Sequence, residues 1–153
     1  MTLHGATFNG QLTLSSPINI SLGVSNGTLT ISGAPANVGR NFTSYKPPEQ
    51  ALEVSNTVGF ISWSEIFGLR AEGVTVNFNV ATSQATIVIF QTSAFNSPAA
   101  EWKCRVSQPI PCPGISINHA TGKMTFSNTI LSPSTTGSNS SIILSRTLSY
   151  TPF

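Results

Sequence analysis

Two glutamates, Glu65 and Glu72, are the residues whose chemistry is tested first. Carboxyl groups held ~5–10 Å apart cleave glycosidic bonds, one as acid and the other as nucleophile or base, and their spacing in the chain does not forbid it. The background is unfavourable. The chain holds five glutamates and no aspartate, so it lacks the side chain on which EF-hand loops, two-metal phosphoryl transfer and aspartic dyads lean. No Gly-x-Ser-x-Gly elbow stands in a supporting context, and no Cys is joined by a nearby His and a carboxylate. Gly33 to Gly39 has the wrong flanks for a phosphate cradle. His119 falls in the turn of the hairpin Ile115–Gly122 and reads as an exposed turn residue rather than a base. The chain is expected not to be an enzyme and to need no cofactor.

Cys104 and Cys112 enclose Pro109 and Pro111. Two prolines so close cannot continue a strand or a helix, so the stretch must loop out and can return its ends to disulfide distance. One cystine is the expectation, contributing about 2–3 kcal/mol in the chain-entropy picture. It would place the protein in an oxidising, extracellular or cell-surface setting. The other reading is two free thiols in a reducing compartment. Only His4 and His119 could complete a zinc site with them, and no metal is expected.

Sugar binding is the sharper functional idea. Saccharides are held by aromatic faces together with amide and hydroxyl hydrogen bonds. Trp63, Trp102 and Tyr45 are the candidate ligand-binding residues, set among abundant Asn and Ser. The competing reading makes both tryptophans core. Four glycosylation sequons, at Asn19, Asn26, Asn41 and Asn139, follow from the composition alone and are no evidence of glycans.

The elements that must position these residues are strands. Ser, Thr and Asn fill 52 of 153 positions while apolar residues make up 39%, and the two classes alternate. Gly10-Gln11-Leu12-Thr13-Leu14-Ser15, Gly27-Thr28-Leu29-Thr30-Ile31-Ser32 and Gly122-Lys123-Met124-Thr125-Phe126-Ser127 each give a glycine turn followed by a strand with two apolar residues facing in. Strands are expected near 6–8, 11–15, 18–24, 28–32, 57–63, 73–80, 85–92, 101–106, 114–118, 123–130 and 141–150. The strand at 85–92 reads as central and covered on both faces. The charge-bearing Glu101–Val106 reads as an exposed or edge strand. Arg146 interrupts an apolar phase and needs a bulge or a carboxylate from Glu65, Glu72 or Glu101. One or two short helical turns are expected, at Ser62–Arg70 from a capping-box pattern and at Pro47–Glu53 from its leading prolines.

The fold class that follows is all-β, an antiparallel β-sandwich of jelly-roll or immunoglobulin-like type, as a single domain over 1–153. A net charge of +2 without a basic stripe disfavours nucleic acid, and no apolar run is long enough for a membrane span. The expected function is a non-catalytic, extracellular or surface-exposed structural or adhesive module, its partner a protein, including copies of itself joined by strand addition. The runner-up is a calcium-independent carbohydrate-binding domain, its partner a glycan.

Overall fold

The computed structural model describes residues 25–35, 38–53, 57–94, 97–104, 112–134 and 140–153. Ten strands follow in chain order: β1 Gly27–Ser32, β2 Asn41–Ser44, β3 Glu49–Leu52, β4 Val58–Phe67, β5 Arg70–Asn79, β6 Gln84–Ala94, β7 Ser97–Lys103, β8 Ile115–Asn118, β9 Lys123–Pro133 and β10 Ile142–Ser149. The strands expected within 6–24, the Gly10–Ser15 motif, His4 and Arg105 lie outside the described residues. All ten strands join one antiparallel sheet in the order β2-β1-β10-β9-β7-β6-β5-β4-β3, with β8 attached to β9. Among the described residues there is no helix, hence none long and apolar enough to cross a membrane.

Period-two patterning builds these elements. Along β5, Val74, Val76 and Phe78 are fully buried while Thr75, Asn77 and Asn79 are not, as side chains pointing alternately to opposite faces require. The inward rows of the whole sheet form one apolar cluster from Leu29 and Phe42 through Trp63 and Phe90 to Leu148. Strands from opposite halves of the strand order meet in that cluster. Phe42 on β2 meets Phe67 on β4 edge-on at 6.5 Å, and Trp63 on β4 donates its indole N–H to the Ser149 carbonyl on β10 at 2.9 Å. Strand β9 is the joint: it pairs with β10 and β8 along most of its length and with β7 only at Ser132 and Pro133.

Arg146 resolves through a bulge. Between Leu144 and Arg146 the β9–β10 register slips by one residue, with Asn128 at φ 54° and Arg146 at φ 91°. Asn tolerates the left-handed region; Arg does so at a strain that the paired strands on either side must hold. Burial on β9 accordingly shifts phase from Met124 and Phe126 to Thr129 and Leu131, and Arg146 ends exposed.

Several expectations are corrected. Neither short helical turn forms. Ser62–Phe67 is the second half of β4, because Ser62, Ser64 and Glu65 are each paired across to β5. Gly68, at φ +63°, serves the two-residue hairpin turn that joins Phe67 to Arg70. Pro47 and Pro48 lead instead into β3, which pairs with β4 from Glu49 to Leu52. Strand β2, which matches none of the expected strands, lies between β1 and Pro47. Strand β7 is not an edge but sits between β6 and β9. Strand β6 is central but covered on one face only, leaving Ile87 exposed on the other.

Candidate functional site

The outer face of β4–β7 carries a cleft of about 620 Å³. Its floor comes from cross-strand rungs. One rung runs Ser64–Gly73–Gln91–Glu101 and the next Ser62–Thr75–Ile89–Lys103, each residue opposite its neighbour on the adjoining strand. Gly73 is the low point: it has no side chain between Ser64 and Gln91, and the cleft opens above it. Ser62 and Thr75 share a hydroxyl–hydroxyl hydrogen bond of 2.9 Å, which fixes one wall.

The solvent-reaching charges that line the cleft are Glu101 and Lys103, 3.9 Å apart; Glu72 also borders it, with its side chain closed to solvent and paired with Arg70. Gln91 donates its amide to the Glu101 carboxylate at 2.7 Å. That bond first, then the neighbouring Ser134, and the charge of Lys103 last, hold the Glu101 carboxyl below the ordinary glutamate range against an opposing desolvation. The cleft thus offers hydroxyls, an amide and a compensated ion pair. It has no excess of either sign with which to select an ion, and it suits a neutral ligand rich in hydroxyl groups.

Glu65 and Glu72 sit at the same level of these strands but on the inner face, directly opposite each other. Both are buried. The Glu65 carboxylate accepts the backbone N–H groups of Tyr45 and Lys46. Glu72 accepts Gly39 N–H at 3.1 Å and pairs with Arg70 Nε at 2.9 Å. The pair a glycosidase would need is therefore brought together, but with Oε1 of each turned to the backbone flanking β2 and with the Glu72 side chain closed to solvent, its Oε2 buried without a hydrogen-bond partner.

No family model, curated protein or solved structure was found to match the chain. The remaining sequence candidates are consequently placed by geometry alone. Trp63 and Trp102 are fully buried; Trp102 packs against Phe90 at 5.9 Å and donates its indole N–H to the Ser140 carbonyl at 3.0 Å. Buried indoles with satisfied N–H groups are core anchors, and no ring face of either is presented for a sugar to stack on. Tyr45 is the exposed one of the three, at 51%. None of the three lines the cleft, so the structure does not assemble them into one site.

Cys104 and Cys112 form the expected disulfide. Their backbone N–H groups bond to the carbonyls of Val88 and Ala85, so the cystine closes its loop against β6. His119 is a turn residue, as expected, but only half exposed. Its Nδ1 shares a hydrogen bond with the Tyr150 hydroxyl at 3.1 Å and its ring lies 5.3 Å from that of Phe78, while burial pushes the Tyr150 phenol upward. It fastens the segment after β10, and no carboxylate stands beside it among the described residues. Gly23-Val24-Ser25-Asn26-Gly27 spells the hydrolase elbow, yet Ser25 leads into β1 rather than into a helix, so its hydroxyl lacks the strained strand-to-helix turn that activates such a serine.

Gln91, Ser64 and Gly73 were not singled out by sequence reasoning. Their signal was present as the outward phase of three strands, but cross-strand register decides which outward residues share a rung, and register is not local.

Proposed function

We propose that this chain is a non-catalytic structural or adhesive module of an extracellular or cell-surface setting, built as a β-sandwich whose outward faces make the contacts. The observation that carries this reading is the chemistry of those faces. Thr28 with Thr43, Thr125 with Thr147 and Ser62 with Thr75 form cross-strand hydroxyl pairs at 2.8, 2.9 and 2.9 Å, and Ser145 bonds Asn128 at 3.1 Å. Such a surface is rigid and nearly uncharged, so it meets a partner without ordering loose side chains or desolvating many ions. The meeting of strands from opposite halves of the sheet supports the sandwich reading, and the disulfide supports an oxidising location. The commitment of Glu65 and Glu72 to backbone N–H groups favours a non-catalytic role.

Among the described residues, strand addition can act at the outer edges of β2 and β3, the ends of the strand order. Both strands have four residues, and β3 follows Pro47 and Pro48, opens on Glu49 and is followed by Glu53, devices that slow casual pairing. Size-exclusion chromatography with electron microscopy tests the assembly: rings or filaments are expected, and a monomer at every concentration would remove self-assembly from the reading.

The second reading, a calcium-independent carbohydrate-binding domain, is favoured by the neutral, hydroxyl-lined cleft. A glycan array should then yield hits that persist in chelator. Gln91→Ala should weaken them roughly tenfold, the equivalent of one well-made hydrogen bond. Binding unchanged by that substitution would exclude the cleft.

A further inference from the structure

We infer that the β4–β5 hairpin tip is a docking point for a lipid bilayer bearing anionic headgroups. Leu69 and Ile66 are the two most exposed large apolar side chains among the described residues, at 77% and 69%, and they share one hairpin end: Leu69 lies in its two-residue turn and Ile66 in β4 one residue before the closing Phe67–Arg70 pair. The other two described hairpin turns differ. The β5–β6 turn is closed by Asn79 Oδ1 accepting Thr82 N–H, and the β8–β9 turn by Asn118 Oδ1 accepting Thr121 N–H; both present small or polar residues at their tips.

The tip is held in place rather than loose. Phe67 packs edge-on against Phe42 in the core, and the Arg70 guanidinium lies over the Phe67 ring at 6.0 Å. Leu69 and Ile66 are thus presented on an anchored hairpin end, which lowers the ordering cost of inserting them. The charges around the tip are sorted by sign. Arg40 and Lys46 are exposed and Arg70 is partly so, while the neighbouring carboxylates, Glu65 and Glu72, are buried. Gly39 and Lys46 donate to those two carboxylates, which places the segment bearing Arg40 and Lys46 beside the tip. Glu49, the next exposed carboxylate along the sheet, is paired with Ser62, four residues back from Ile66 and about 13 Å away at strand rise.

Shape selects the occupant. A convex hairpin end with two aliphatic side chains falls far short of the roughly 800 Å² per partner that a stable protein interface buries. A few aliphatic side chains entering the interfacial zone, with cations at the phosphate level, match what a lipid surface takes.

The test is co-sedimentation of the full chain with phosphatidylcholine–phosphatidylglycerol vesicles and with phosphatidylcholine alone. Binding to the anionic vesicles is expected, weakening as salt rises. The double substitution Ile66→Thr with Leu69→Asn should reduce it about a hundredfold, two largely buried aliphatic side chains being removed. Ile130→Thr, at a 57% exposed isoleucine on another part of the sheet, should leave it unchanged, and thermal melts should show all variants folded. Leu69→Trp should keep binding and shift its emission to the blue with anionic vesicles, since both native tryptophans are already buried. Absence of binding, equal binding to the neutral vesicles, or equal loss in Ile130→Thr would overturn the proposal. So would a dimer that the Ile66, Leu69 double variant dissolves, which would assign the tip to a second copy of the chain.

Discussion

Glu65 and Glu72 on the inner face of β4 and β5, and Glu101 on the outer face of β7, are the same functional group at nearly the same level of one sheet, put to different uses. The inner pair is buried and bonded to backbone N–H groups on either side of β2. It fastens one end of the sheet to the other. Glu101 is solvated, partnered by an amide and an ammonium, and lines a cleft that a ligand can reach. What separates them is the parity of their position along a strand, because a shift of one residue moves a side chain from core to solvent. A carboxylate's role in this molecule is thus set by face before it is set by neighbours.

The largest expected effect lies on the inner face. Trp63→Ala removes a fully buried indole and strands the Ser149 carbonyl it serves, and should lower stability by about 3–5 kcal/mol in urea denaturation. Next comes Glu65→Ala, which leaves the N–H groups of Tyr45 and Lys46 without their acceptor. A loss of about 2–3 kcal/mol is expected, with Glu65→Gln recovering part of it because an amide oxygen still accepts. A loss under ~0.5 kcal/mol in Glu65→Ala, the range of an ordinary surface change, would mean that Glu65 does not hold β2 against β4, and the contrast between the faces would fail.

The inner face was largely legible from the amino-acid pattern, for a physical reason. Burial follows strand parity, so Leu29, Ile31, Val74, Val76, Phe78 and Ile117 are identifiable as inward residues from their alternation with Thr, Asn and Ser. Arg146 was legible in part for the same reason: a charge in an inward phase demands a bulge or a carboxylate partner, and of the two the bulge is there. Signals that depend on competition between local and distant partners were not legible. Ser62 and Glu65 have capping-box spacing, but the spacing is met equally well by a strand in which Ser62 faces out and Glu65 faces in, and pairing to β5 decides for the strand. Strand β2 is four residues in a stretch rich in Pro and Gly, too short for its alternation to stand out, and it exists because β1 and the two inner glutamates hold it. Trp63 and Trp102 carried two readings, sugar platform and core, and their burial bears out the core one. An aromatic suited to a sugar is equally suited to a core, and only their position on an inward row decides between the two.

Glu101→Gln is expected to have the smallest effect on stability and the most informative one for the cleft. The carboxyl ionises below the ordinary glutamate range when folded. A depressed acid contributes stability above that range, and the contribution is lost as pH falls from it through the folded value. Because the group is largely solvated, its contribution is screened, and at neutral pH the variant should lie within about 0.5 kcal/mol of the parent. The two melting curves should converge as the solution is acidified, since the parent then loses the charge that the variant never had. Ligand affinity should respond differently. Gln91 is held by the Glu101 carboxylate, and replacing that acceptor with an amide frees Gln91 to turn, so a hydroxyl-rich ligand seated over Gly73 should bind more weakly while the melt barely moves. A melt that drops by several kcal/mol instead would show the outer carboxylate acting as the inner pair does, and face would no longer separate the roles.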